Sequence, residues 1–514
     1  MEKNEHKIGV SLPIGMTNKH NRLSGLLDSK YSPLLFFVVS FVFVTLFSRS
    51  TSFLYVFEGA DPAIFKQMGL ALLKGKTLYI DYFDNKGCIL YFIQALGLWL
   101  GGNFFILLMQ ALSLTVTLVI WDKMLALYRN ASQRMVCLAV ALVLLLCFYQ
   151  DGDLAEEWCL PFASFPVLLY FRNLKSGKEI GFGEMLVIGI CFGVNAFIRI
   201  NNASPFLGFV AYGWLLLLLG KNFGRFFKSL ACFLCGLMMI AGACVLYFYL
   251  KAGWHGVYEM VYASFLSNFE YMGFPGHRPV YFYLIYILFV VLCIVQQIIY
   301  SAKDKNILIP TLISYGLFIL SSGNRCFTHY LMVLLPLVIV MMMTAPSKIR
   351  TKQNLAFGIL LLQSVCIYLP IPLALTVNDL VLKNDKYSVI YGNFHRCIEA
   401  IPEVERDSIY NYNLLGNAVS MMQHEGLLQC NRILFSNFAF YMPTLMKEEQ
   451  EKPLIPPKWI LATWDYYFTK ADANFILTNY DEVFTFEHDR VYLEKPKIGR
   501  RFTVRLFRRK EPQP

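Results

Sequence analysis

Asp61-Pro62 is followed some twenty residues later by Asp81-Tyr82-Phe83-Asp84-Asn85-Lys86-Gly87, so carboxylates and a lysine fall within one stretch just after the first long apolar run. A carboxylate can take a proton from an attacking hydroxyl or amine, and an ammonium group can steady an anion as it leaves. Further ionisable groups stand at the ends of later apolar runs: Asp151, Asp153, Glu156 and Glu157, then Arg199 with Asn201 and Asn202, then Glu259, Glu270, His277 and Arg278, then Arg325 and His329. A charge at the centre of a membrane helix costs about 2.5 to 3.5 kcal/mol on insertion scales, so groups at span ends are expected to face water, a cavity or one another. Plain solvation in a loop is the alternative for each of them. Asp61 has a second alternative, because Asp before Pro at the start of a helix is a good N-cap. The functional reading rests on company: carboxylates and Lys86 in one loop, facing a second acidic loop, above spans whose outer ends carry arginines.

The elements that position these groups follow from composition. The 514 residues are 56% hydrophobic and only 16% charged, where soluble domains carry about 25% charged residues. With a mean hydropathy of +0.48, this describes an α-helical polytopic membrane protein. The net charge of +11 does not point to nucleic acid, because the basic residues come as small clusters between apolar runs and not as one stripe. Of thirteen cysteines, most lie inside apolar runs and read as small buried hydrophobes. Cys232 and Cys235 form a CxxC pair in mid-span, with no second pair or histidine at zinc-ligand spacing. Cys397 and Cys430 lie in the polar C-terminal region, where an oxidising compartment would let them pair.

The tail of residues 1–32 carries Lys3, Lys7, Lys19, Arg22 and Lys30 before the first apolar run, which places it in the cytoplasm by the positive-inside rule. It is long for a signal-peptide n-region, and no clear small-residue cleavage site follows. In residues 50–102, Ile64, Met68 and Leu72 recur at helical spacing with Lys66 and Lys74 elsewhere on the wheel, the pattern of an interfacial helix. The run Ile89 to Leu100 is short of the roughly twenty residues a span wants and is placed on the membrane surface. Basic clusters at Lys123 to Arg134, Arg172 to Lys178, Lys221 to Lys228, Lys303 to Lys305 and Lys348 to Lys352 then alternate with sparse loops. About eleven spans result, near 33–49, 103–121, 135–150, 158–171, 183–199, 203–220, 229–250, 279–300, 307–322, 329–346 and 355–377, with the N-terminus in and the C-terminus out.

From about Asn378 the composition becomes that of a soluble domain. Ser408 to Tyr412, Arg432 to Phe435, Phe475 to Thr478 and Phe502 to Phe507 read as short strands with helices between, giving a small α/β or α+β domain, residues 378–514, outside the cytoplasm. No internal repeat is apparent.

The pattern Asp61-Pro62…Gly69…Gly75…Tyr79…Asp81-Tyr82-Phe83-Asp84-Asn85-Lys86-Gly87 resembles the first outer loop of GT-C glycosyltransferases, multispan enzymes that use polyprenyl-phosphate-linked sugars. It looks most like the bacterial branch related to protein O-mannosyltransferases and the lipid A aminoarabinose transferase. Weaker similarity touches Glu156-Glu157-Trp158-Cys159-Leu160-Pro161-Phe162 and His329-Tyr330-Leu331-Met332…Leu335-Pro336. Cys88 departs from the pattern, since a proline often follows the Lys-Gly or Lys-Pro step. The resemblance implies a GT-C-like membrane domain over residues 33–377 with a catalytic loop at 50–102. It also implies a polyprenyl-phosphate sugar donor, a lipid, glycan or protein acceptor, and a place in the cytoplasmic membrane with the C-terminal domain outside or periplasmic.

The chemistry suits the residues beside the name. A polyprenyl phosphate leaves as an anion, so cations matter more than a strong general acid. Lys86, Arg199, Arg325 and Arg278 can supply them. The acceptor needs a proton acceptor on the opposite face of the sugar, and direct displacement inverts the anomeric centre. Asp61 is the expected base. Asp84, Glu156, Glu157 and His329 are the expected acceptor or sugar contacts; Glu156 and Glu157 orient hydroxyls or bind a divalent ion, and the residues do not choose. No cofactor requirement is visible. The competing readings are a transporter or flippase of lipid-linked saccharides, a glycan polymerase or ligase using arginines of a large outer loop, and a silent scaffold. Transporters place their ionisable groups near the bilayer midplane on broken helices, and here they sit in loops.

Overall fold

A computed structural model describes residues 27–56, 59–273, 280–323, 326–346, 355–380, 384–412, 417–430, 432, 457–463, 470–489 and 501–511. Glu58, His277, Arg278, Arg325 and the basic cluster Lys348 to Lys352 lie outside them.

The chain opens on α1 (Ser32–Phe47), whose Pro33 sits in the first turn where its missing N–H costs nothing. Two shorter helices follow, α2 (Ala60–Leu73) and α3 (Cys88–Gly101), then α4 (Asn103–Ala126), α5 (Ala131–Tyr149) and α6 (Ala155–Ser176). A capping box between Asn130 and Gln133 starts α5. Pro161 and Pro166 lie inside α6, which stops at Gly177 in the left-handed conformation. Beyond it come α7 (Phe182–Arg199), α8 (Ser204–Leu219), α9 (Phe223–Glu270), α10 (Val280–Ser301), α11 (Lys305–Ser322), α12 (Thr328–Thr344) and α13 (Leu355–Val377).

Among the described residues, seven helical stretches are long and apolar enough to cross a membrane: α4, α5, the α7–α8 pair counted as one, α9, α10, α11 and α13. The apolar helices α1, α3 and α12 are shorter. Glycines let the helices approach closely, as expected where lipid leaves van der Waals packing as the main attraction. A Cβ on Gly189 of α7 would overlap the Phe233 carbonyl of α9, and one on Gly236 of α9 would overlap the Leu186 carbonyl of α7. The two helices thus cross at reciprocal glycines.

The helix α2 is not the amphipathic surface helix that its wheel predicts. It is buried nearly all round, with Lys66 turned inward at 0% exposure. The apolar side of α3 packs on α2, α4 and α7, with Cys88, Leu90 and Tyr91 buried.

The C-terminal region carries α14 (Asn384–Glu399), β1 (Ile409–Tyr412), α15 (Asn417–His424), β2 (Trp459–Thr463), α16 (Lys470–Asn479), β3 (Tyr480–Asp489) and β4 (Arg501–Arg509). The sheet runs β1-β2-β4-β3, with β1 and β2 parallel and the other pairs antiparallel. Phe394, Cys397 and Ile398 of α14 join Ile409, Trp459 and Leu506 in its core. The strands read at Ser408 to Tyr412 and Phe502 to Phe507 are β1 and part of β4. Phe475 to Thr478 is a correction: it lies in α16, because a four-residue apolar run has no period and the flanking Lys470 to Asn474 favours the helix. Of Arg432 to Phe435, only Arg432 is described. Cys397 and Cys430 are free thiols, not a bridge, and burial pushes the Cys397 thiol up to about 12.

A candidate active site around the first loop

Asp61 lies in the first turn of α2 but does not cap it. Gly59, with extended backbone at φ −63° and ψ 156°, occupies the cap position, two residues earlier than the Asp-Pro step predicts. The glycine is required there, since a Cβ would sit 2.9 Å from the Cβ of Asp151. The first loop is thereby pressed against the second acidic loop. Asp61 is half-buried, with no hydrogen bond or ion pair among the described residues.

One turn along, Phe65 carries the Lys86 ammonium over its ring at 5.7 Å. Positions four apart share a helix face, so Asp61 stands on the same face of α2 as Phe65. Lys86 donates to the Asn85 side chain at 2.7 Å and lies 3.9 Å from the buried Asp84 carboxylate. Asp84 itself is fixed: Tyr91 donates to it at 2.6 Å and the Asn85 N–H at 2.8 Å. Tyr79, at φ 68°, donates to the Lys86 carbonyl at 2.8 Å. The Gly87 N–H donates to the Ile198 carbonyl at 2.9 Å, which ties the first loop to the end of α7.

Arg199 ends α7 and forms a buried ion pair with Glu156, its guanidinium 4.2 Å from the centre of the Tyr330 ring. A buried pair of this kind, stacked on an aromatic face, holds its geometry. His329 precedes that tyrosine and meets Gln150 at 3.1 Å; Gln150 in turn donates to Thr328 at 2.9 Å. The third loop, the second loop and α12 are joined through these contacts.

Glu157 is enclosed differently from Glu156. Tyr149 donates to it at 2.7 Å, Gln110 at 3.0 Å and the Asp153 N–H at 3.0 Å, while Gln94 and Trp158 donate to the Asp153 carboxylate at 2.7 and 2.9 Å. This network makes Glu157 the floor of the second loop.

Two cations escaped the sequence reading. Arg49 is 3% exposed and pairs with Asp151 at 2.6 Å and with Asp379 just past α13. Lys66 donates to the Ser50 carbonyl at 2.5 Å, and the Ser50 hydroxyl accepts the Gly59 N–H at 3.1 Å. The hydroxyl-rich run Ser48-Arg49-Ser50-Thr51-Ser52 was the available signal, since an arginine closing an apolar span needs buried partners.

The C-terminal domain closes over the loop. Gln67 donates to the Leu427 carbonyl at 2.7 Å, Tyr82 to the Gln429 carbonyl at 2.6 Å, and the Phe83 N–H to the Arg432 carbonyl at 2.8 Å. Arg432 donates back to the Tyr79 carbonyl at 2.8 Å and to Glu259 at 2.7 Å. Among the described residues, Asp84 and Lys86 of the first loop, Glu156 and Glu157 of the second, Arg199 and His329 are thus linked through these contacts, whereas Arg278 and Arg325 lie outside the described residues. Among the described residues, no group of three or more His, Cys, Asp or Glu is placed to hold a metal ion.

No protein-family model matches the chain, and no curated protein matches it significantly.

Proposed function

We propose that the protein is an integral-membrane glycosyltransferase that moves a sugar from a polyprenyl-phosphate-linked donor to a lipid, glycan or protein acceptor, with inversion. The observation that carries this reading is Asp61: a half-buried carboxylate without an ion pair among the described residues, at a helix start, one turn from an aromatic ring that holds Lys86. The acceptor oxygen or nitrogen attacks the anomeric carbon and its proton passes to Asp61. The bond from that carbon to the phosphate oxygen breaks, and its electron pair leaves with the phosphate. Lys86 meets that anion with donors beyond the one given to Asn85. Arg199 and Arg325 complete the cationic side, and Asp84, Glu156 and His329 the polar wall for sugar or acceptor. Glu157 supports this wall from below.

In this reading eleven spans of a GT-C-like domain place the loops and the C-terminal domain outside the cytoplasm, with the N-terminal tail inside. Purified protein incubated with lipid extract and acceptor should release polyprenyl phosphate and a glycosylated product, both read by mass spectrometry. Movement of the lipid-linked saccharide across a vesicle bilayer without release of polyprenyl phosphate would replace this reading by the transporter.

A further inference from the structure

The helix α9 breaks its ladder at Ala252 (φ −148°, ψ 23°) and Gly253 (φ 61°, ψ −153°), the second a conformation open essentially to glycine alone. The break divides a long apolar stretch into two arms of different character. Before it, Met238, Met239, Leu246 and Leu250 are exposed along one side, as expected of a span facing lipid. After it, Trp254 at 72% exposure, Tyr258, Leu266 and Phe269 at 68% continue an exposed apolar stripe. A π-helical turn at Tyr262–Leu266 takes in an extra residue and brings Leu266 and Phe269 back toward the side of Trp254 and Tyr258.

The opposite face of the second arm is fully occupied. Met260 and Ala263 are buried, Tyr262 packs on Phe83 at 6.2 Å, and Asn268 donates to the Asn85 carbonyl at 3.0 Å. On this face Ser264, Ser267 and Asn268 are buried, and Asn268 ties the arm to the first loop through the Asn85 carbonyl. From Trp254 to Glu270 it is about 25 Å long, with aromatic rings on its free side. Lys251 and His255 stand exposed at the break.

We propose that the arm from Trp254 to Glu270 lies along the membrane surface, with Trp254, Tyr258, Leu266 and Phe269 seated in lipid just below the headgroups. Lipid is the occupant because the stripe joins the exposed apolar side of the first arm, where the Trp254 ring meets that of the exposed Tyr249 at 5.2 Å. Tryptophan and tyrosine with a flanking cation are the residues that anchor helices at that depth. The contact holds the Asn85–Lys86 backbone at the level of lipid phosphates whatever reaction the site performs.

Trp254 is one of seven tryptophans, so Trp254→Phe in the full chain, reconstituted in phospholipid vesicles, should remove about one seventh of the emission. The lost component should be one quenched by bromine high on the acyl chain, several-fold less by bromine near the chain end, and little by aqueous iodide. Tyr258→Trp and Phe269→Trp, each added to Trp254→Phe, should restore a component with the same profile. Quenching of these components by iodide would put the arm in water. Preference for deep bromine would make it a span, and resistance to both quenchers would mean that protein covers it. Each of these three outcomes overturns the proposal. Trp254→Phe changes an exposed ring, so that comparison stands even where the added variants fold poorly.

Discussion

Gly87 is packed so tightly against Phe197 that a Cβ added to it would overlap the phenylalanine carbonyl oxygen. Two backbones meet there, and neither can yield as a side chain does. Gly87→Ala is therefore expected to cost about 1 to 3 kcal/mol or more and to displace Lys86 from Phe65. A lowered melting temperature with reduced transfer activity is the expected result. An unchanged melting temperature would show that the loop is free to move.

Asp61→Asn separates chemistry from folding more cleanly than a capping residue would allow. Gly59 holds the cap, so the substitution removes only a favourable charge at a helix start, worth about 0.3 to 1 kcal/mol. Turnover should fall by roughly 10² to 10⁴-fold while donor binding is nearly retained. A well-expressed Asp61→Asn protein with near-normal turnover would move the base to another carboxylate.

Lys86→Ala should weaken use of the lipid-linked donor through loss of a charge-assisted hydrogen bond, about 1.5 to 3 kcal/mol. That is roughly 10- to 150-fold in kcat/KM. Arg325→Ala, at a residue outside those described, is expected to act in the same direction. Kinetics indistinguishable from the parent would return both to solvated loop charges.

The apolar runs were legible because period and length survive without partners, and the helices follow them closely from α4 to α13. The acidic and basic clusters were legible as a group. Their partners were not: Arg49 meets Asp379 across 330 positions, and no local pattern announces that. Lys66 sat on the polar side of a wheel that assumes water, whereas it turns inward to the Ser50 carbonyl and the neighbouring Gln67 meets the Leu427 carbonyl of the C-terminal domain. The Asp61-Pro62 step suggested a cap, and the extended Gly59 took the role because only a residue without Cβ fits beside Asp151. The strand β2 was missed although Pro456-Pro457 before Trp459-Ile460-Leu461-Ala462 marks a boundary.

Arg49→Met leaves the buried Asp379 carboxylate without its cation. Breaking a buried pair by removing one partner costs about 3 to 5 kcal/mol, so thermal unfolding should move down sharply. Asp379→Asn added to Arg49→Met should restore part of the loss. An additive double variant would show that the two residues do not act together.

His395 of α14 meets Glu425 at 2.9 Å, and that contact raises its pKa. The protonated form is the bonded one. Its contribution is fully present below the ordinary histidine value of about 6.5 and is lost as pH rises through the folded value. His395→Gln should flatten the stability of the C-terminal domain across that window, as read by circular dichroism melts at several pH values. A parent protein already flat there would dismiss the contact.

The Arg49–Asp379 pair also sets an order of events during synthesis. Arg49 leaves the ribosome 330 residues before its partner, an interval on the order of tens of seconds at typical elongation rates of roughly 5 to 20 residues per second. Through that interval the arginine lacks Asp379, and the loop that holds Asp61 and Lys86 waits without Leu427, Gln429 and Arg432. A chain halted after α13 carries Asp61, Lys86 and Arg199 and none of the domain that packs over them. Covering of the first loop thus comes only after the membrane helices have been made.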